Sequence, residues 1–287
     1  MKKSTVIVTI VSLVAVVGIS IAVAKSVLSS GGAAAIAEKD AVTPAALKTK
    51  AATDAANGTG GGMTALDKAA QAKRYLFVFG WKEDNDQTTA MRKVFDQAMT
   101  GVADRADAVV VKVDDPDERD IVEKFQLKRA PLPLVLAVAP SGAIMGGFPT
   151  KFSEQDLINA FGTPSSEQVM KTLQDSKLVL LCVQNAKTKS NEEALQGVRD
   201  FEADSRYTGS TKVVMLDPTD SAEASFLKDL KIDPKTEQAV TVLIAPPGVP
   251  VIQVEGAVTK DVLADALQKA SSACAGGSCG PSGCGPK

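Results

Sequence analysis

Four cysteines are the residues of this chain best suited to covalent or soft-metal chemistry, and their placement separates them. Cys274, Cys279 and Cys284 recur at five-residue spacing in Cys274-Ala-Gly-Gly-Ser-Cys279-Gly-Pro-Ser-Gly-Cys284-Gly-Pro-Lys287. A segment of Gly, Ser and Pro has no core to join, so these thiols are expected to meet solvent. Three such thiolates suit a soft metal ion, or zinc with a fourth ligand from elsewhere. They equally suit a local disulfide with one thiol left for a partner. The spacing does not choose between these readings. Cys182 interrupts the apolar run Leu178-Val-Leu-Leu-Cys182-Val183. It reads as a buried, inert thiol.

The chain contains no histidine. That removes the commonest general base and the commonest metal ligand together. Ser–His–Asp hydrolysis, Cys–His proteolysis and histidine-based zinc sites are excluded. The formal net charge of −2 argues against a broad nucleic-acid surface, which requires clustered Lys and Arg. Two acidic loops stand out, Glu83-Asp84-Asn85-Asp86 and Asp114-Asp115 with Asp117. Neither has calcium-loop spacing. The expectation is helix capping by Asp86 and Asp117 rather than cation binding.

The elements that carry these residues are legible from periodicity. Lys2 and Lys3 precede an uncharged apolar run from Thr5 to Ala24. Roughly 20 apolar residues suffice to span a bilayer, so residues 1–25 are expected to be a signal or transmembrane segment with the remainder exported. Ala22-Val23-Ala24 offers a cleavage site, which leaves cleavage open. Residues 26–70 are rich in Ala and Gly and read as a flexible linker, with a transient helix near Thr64–Arg74. Strand and helix patterns then alternate through two units, 71–163 and 164–270. The order strand–helix–strand–helix–strand–strand–helix occurs twice, offset by slightly over 100 residues. This is an internal duplication. Residues 271–287 are expected to be a disordered Cys/Gly-rich tail.

The element order and the loop Ala130-Pro131-Leu132-Pro133-Leu134 resemble the thioredoxin-like superfamily. The resemblance covers about Tyr75–Phe161 and Lys177–Ala270. It implies an α/β fold of two tandem domains, each a mixed sheet flanked by helices, with Pro133 as the cis-proline beside a peptide-binding surface. The family's dithiol belongs at the start of the first helix after the first strand. There this chain has Gly80-Trp81-Lys82-Glu83-Asp84-Asn85-Asp86-Gln87 in the first unit and Asn185-Ala-Lys-Thr-Lys-Ser-Asn191 in the second. Neither contains cysteine, so Trp81, Lys82, Glu83 and Asp84 read as a vestigial active-site loop. Val240 is expected to stand where the second unit would carry its cis-proline. The resemblance is nearest to non-catalytic domains of disulfide-isomerase-like proteins. It implies a membrane-anchored, exported module for protein or peptide clients, without catalytic residues or a resident cofactor. The alternative is thiol-redox or soft-metal handling through Cys274, Cys279 and Cys284.

Overall fold

A computed structural model describes residues 61–275. The apolar run, most of the expected linker, and Cys279 and Cys284 lie outside the described residues. The first unit comprises α1 (Gly61–Gln71), β1 (Tyr75–Trp81), α2 (Asp86–Gly101), β2 (Ala106–Lys112), α3 (Arg119–Lys124), β3 (Leu134–Val138), β4 (Ile144–Pro149) and α4 (Glu154–Ile158). The second repeats it: α5 (Pro164–Gln174), β5 (Leu178–Val183), α6 (Asn191–Ala203), β6 (Thr211–Leu216), α7 (Ala224–Asp229), β7 (Val240–Ala245), β8 (Val249–Glu255) and α8 (Lys260–Ala275). Among the described residues no helix is long and apolar enough to cross a membrane.

Each unit folds around its own four-stranded sheet, ordered β2-β1-β3-β4 and β6-β5-β7-β8. The first pair in each is parallel; the other two pairings are antiparallel. The central strands are apolar on both faces, so helices must cover both. Phe77 and Phe79 face α2 and α4, packing on Phe95, Ala98 and Leu157. Leu76 and Val78 face the other way, onto Leu66 and Ala69 of α1 and Ile121 and Val122 of α3. Leu180 and Leu181 divide in the same manner between the two faces of the second sheet.

The expected linker 26–70 therefore ends sooner than its composition suggests. Met63, Leu66 and Ala69 form a helical stripe that the sheet buries. Gly62 is required there. A Cβ on it would stand 2.6 Å from both the Glu118 carboxylate and the Ile121 side chain. At the other end, α8 carries the helix to Ala275, so the backbone at Cys274 is helical rather than part of a disordered tail. The caps also differ from expectation. Asn85, not Asp86, accepts the N–H of Thr88 to start α2. Asp115, not Asp117, caps the short turn before α3. Both capping residues sit outside the first turn with extended backbone, which lets a short side chain reach forward.

One device occurs in both units. Glu118, in the turn after β2, accepts the backbone N–H of Gly62 at 2.9 Å. Glu223, in the turn after β6, accepts that of Ser165 at 2.8 Å. A carboxylate thus meets the positive end of each opening helix. Glu223 is buried, and its Oε2 has no hydrogen-bond partner among the described residues.

Helix α5 also joins the units. The Tyr75 hydroxyl donates to Glu167 Oε1 at 2.5 Å and accepts the Gly162 N–H at 2.8 Å. Gln174 pairs its side-chain amide with both the N–H (2.9 Å) and the C=O (2.7 Å) of Ile144 on edge strand β4. The Phe161 and Tyr75 ring centres lie 4.6 Å apart, and the Arg105 guanidinium stands 3.9 Å from the Phe161 ring centre. Burial, then the hydrogen bond to Glu167, push the Tyr75 phenol well above its ordinary range. Burial likewise raises the Glu167 carboxyl.

The raised phenol means that the folded chain holds this proton more tightly than the unfolded chain does. Its contribution is complete below about pH 10, the unfolded tyrosine value, and is lost as pH rises toward the higher folded value. Tyr75→Phe is expected to cost about 1 kcal/mol at neutral pH and to flatten this alkaline loss. Urea midpoints measured from neutral pH to above about pH 10 check it. An unchanged slope in the variant would remove Tyr75 as its source.

Candidate functional site

The register of β1 and β3 brings the two ends of the candidate site together. Gly80 lies opposite Leu134, so the loop Ala130–Pro133 runs beside the end of β1 and the start of α2. Leu132–Pro133 is cis. The Pro133 carbonyl accepts the Thr150 N–H at 2.6 Å, and the Thr150 carbonyl accepts the Gln87 side chain at 2.9 Å. Gln87 in the first turn of α2 is thereby tied to the proline loop. Pro133 is buried and Leu132 half-buried. The N–H and C=O of Leu132 have no hydrogen-bond partner among the described residues.

Trp81 ends β1, half-buried, with the Lys112 ammonium 5.3 Å from its ring centre. Lys82 approaches Asp114 at 3.9 Å, both exposed, which is worth little in water. Glu83 and Asp84 are exposed. Among the described residues no three His, Cys, Asp or Glu side chains converge as a metal group. Beside this loop, between α2 and β2, lies an open cleft of about 310 Å³ whose floor includes Phe79, Trp81 and Val110.

The second unit has the same frame but a different occupant. Val240 pairs with Val183 as Leu134 pairs with Gly80. Ala239, not Val240, is therefore the counterpart of Pro133. Its carbonyl accepts the Gly256 N–H at 2.7 Å, matching the Pro133–Thr150 bond. Unlike proline, Ala239 has an N–H, which donates to the Lys189 carbonyl at 2.9 Å. The Lys189 N–H donates to the Glu237 carbonyl at 2.9 Å. Lys189 and Gln238 so form an isolated parallel bridge. The loop before α6 thus pairs with the residues flanking Gln238, the counterpart of Leu132, and the N–H and carbonyl of Gln238 itself meet the Thr236 hydroxyl. A second cis bond, Pro246–Pro247, sits in the β7–β8 turn, away from this loop.

Cys182 lies mid-strand in β5, 2% exposed, among Leu180, Val198 and Phe201. Burial pushes its thiol up to about 12, which leaves it protonated and unreactive at neutral pH. Neither α2 nor α6 carries a cysteine. Thiol–disulfide exchange needs an accessible thiolate and a resolving partner, and neither loop supplies them.

Both units have the thioredoxin-like fold. The strand order, the pairing directions and the cis bond at Leu132–Pro133 carry that assignment. No family model matches the chain, and no curated protein matches it. Among solved structures it is similar to the first two thioredoxin domains of Saccharomyces cerevisiae Eps1p, at 11% identity over 67% of this chain and 88% of that one, with a TM-score of 0.28. Human ERp44 is matched at 10% identity over 71% of this chain and 55% of its own, TM-score 0.31. A DsbH oxidoreductase is matched at 12% identity over 33% of this chain and 74% of that one, TM-score 0.27.

The sequence places Trp81, Gln87 and Lys189 at the helix starts and Pro133 before β3, but not the contacts of Gln87 with Thr150 or of Lys189 with Ala239. No local pattern marks these contacts, because each joins residues distant in sequence. Ala239→Pro removes the donor that holds Lys189. It is expected to cost about 1–3 kcal/mol in unfolding free energy and to speed amide exchange at Lys189. Urea denaturation with hydrogen exchange checks both. Unchanged protection at Lys189 would show that the bridge does not hold the loop.

Proposed function

We propose that this chain is a non-enzymatic polypeptide-binding module whose first thioredoxin-like unit takes an extended segment along the Leu132–Pro133 loop. The carrying observation is the contrast between the units. Leu132 has an N–H and a carbonyl without partners among the described residues, beside a helix start that has no cysteine. An extended chain satisfies such groups by backbone pairing. In the second unit the matching N–H and carbonyl, those of Gln238, are taken by the Thr236 hydroxyl, while Lys189 pairs with the flanking Glu237 and Ala239 backbone, so that unit serves as a support.

The test uses the purified full chain and reduced, carboxymethylated lactalbumin as the unfolded probe. A photo-crosslinking side chain at Leu132 is expected to capture the probe, and one at Gln238 to capture several-fold less. Reduction of insulin disulfides is expected to stay at background. Equal capture at both positions would overturn the assignment to the first unit. Insulin turnover that disappears only when Cys274, Cys279 and Cys284 become Ser would move the function to the tail.

The same reading places the module outside the cytoplasm, held by its N-terminal segment. Lys2 and Lys3 ahead of the uncharged Thr5–Ala24 run support it. Alkaline carbonate extraction is expected to leave the chain with the membrane. Complete release of a shortened chain beginning at Lys25 would show a cleaved signal instead.

A further inference from the structure

The open edge of the first sheet carries a second recognition surface, away from the proline loop. Strand β2 is the outer strand on that side. Two bonds flanking its ladder fix which backbone groups face out: Tyr75 N–H to the Arg105 carbonyl, and Val113 N–H to the Trp81 carbonyl. In parallel pairing this turns the odd-numbered residues of the strand toward β1 and the even-numbered ones outward. Some outward groups are already used. Arg74 donates to the carbonyls of Ala103, Asp104 and Ala106 and pairs with the Asp107 carboxylate at 3.0 Å. The Ala106 N–H donates to Val102, and the Lys112 carbonyl accepts from Asp115. What remains open is the stretch from Ala108 to the Lys112 N–H, with no strand beside it among the described residues.

The cleft lies along this same stretch. Val110 points into it from β2, above Phe79 and Trp81, while Arg92 and Lys93 line it from α2 and Asp84 stands at the loop end. Arg92 is held by Asp96 at 2.8 Å, and Lys112 lies over the Trp81 ring. Lys93 and Lys112 are both exposed. An apolar floor with two ammonium groups at its margins is complementary to an apolar side chain flanked by acidic ones. Side chains on one face of a strand recur every second residue.

We propose that the Ala108–Lys112 edge and its cleft bind an extended acidic peptide segment of a partner protein by strand addition, with acidic, apolar and acidic residues at alternate positions. The proposal rests on the polypeptide-binding reading above but names a different surface. The second unit supplies an internal contrast. Its edge strand places Met215, 51% exposed, where Val110 stands, and Asp217 where Lys112 stands. An acidic segment would meet like charge there.

The probe is the peptide acetyl-Glu-Thr-Val-Thr-Glu-amide, with the Lys-Thr-Val-Thr-Lys counterpart as control. Trp81 is the chain's single tryptophan, so its fluorescence reports the cleft alone. With the full chain, the acidic probe is expected to shift Trp81 emission and to protect the Ala108 and Val110 amides from exchange, and the basic counterpart to do neither. Lys93→Glu combined with Lys112→Glu is expected to weaken binding at least about tenfold, as expected for losing charge-assisted contacts. Ala108→Pro deletes an outward N–H that the internal ladder does not use and is expected to weaken binding similarly. A circular-dichroism melt close to that of the parent chain would confirm that each variant is folded. Binding that protects Leu132 instead of Ala108 would overturn the edge assignment while leaving polypeptide binding intact. Equal binding of both probes would overturn the charge selection. Absence of binding by the acidic probe, with lactalbumin still captured at Leu132, would overturn this surface alone.

Discussion

Burial of the central strands on both faces governs the rest of this molecule. Phe77 and Val78, neighbours on β1, are both fully buried although they point in opposite directions. The same holds for Leu180 and Leu181 on β5. A sheet of that kind is stable only when helices cover each side. Two come from the crossover and closing helices on one face. The other face needs a helix from before the first strand as well as the short helix after the second. Hence α1 and α5 precede their sheets, and hence each begins against a glutamate from across the fold. That glutamate replaces the local cap that Gly61-Gly62 cannot offer.

Helix α5 meets this requirement for one unit while its other side is held by the preceding unit. Val169 and Leu173 enter the second core. Met170 packs against both the first and second cores. Gln174 satisfies the Ile144 backbone as a further strand would. The edge of β4 is thereby partly covered, whereas that of β2 is covered only at its two ends, by Arg74 and by the Asp115 N–H. The two sheets therefore differ in which backbone they leave free, despite a common plan. In the first unit a proline without an N–H leaves the neighbouring loop unattached. In the second an alanine with one draws Lys189 in. The Ala239 donor, the Lys189 N–H and the Thr236 hydroxyl thus together distinguish the second loop from the first.

Much of this was legible in the residues. The strands announce themselves as continuous apolar runs, and the duplication fixes their order. Ser153 caps α4 with Asp156 as the local pattern implies. Helix α1 was legible only as a transient helix near Thr64–Arg74, because Gly-Gly-Met-Thr-Ala-Leu-Asp-Lys-Ala-Ala-Gln carries a small apolar stripe and a cap that lies 56 residues away. Helix α5 did leave a signal: Thr163 and Ser166 form a capping box around Pro164 at the first helical position. The alanine that replaces the cis-proline was misplaced by one residue, since only the pairing of β7 with β5 fixes the register. The Lys189 bridge had no sequence signature, because it joins a loop to a strand entry 49 residues on from one partner backbone to the other.

The glutamate caps impose an order on biogenesis. Gly62 waits for Glu118, and Ser165 for Glu223, 58 residues later. A chain that emerges from its N-terminus on the ribosome delivers each opening helix long before the glutamate it meets. During that interval the Met63–Leu66–Ala69 stripe has no sheet to cover and the helix start has no anion. Each glutamate contact can form only once the turn after the unit's second strand has emerged.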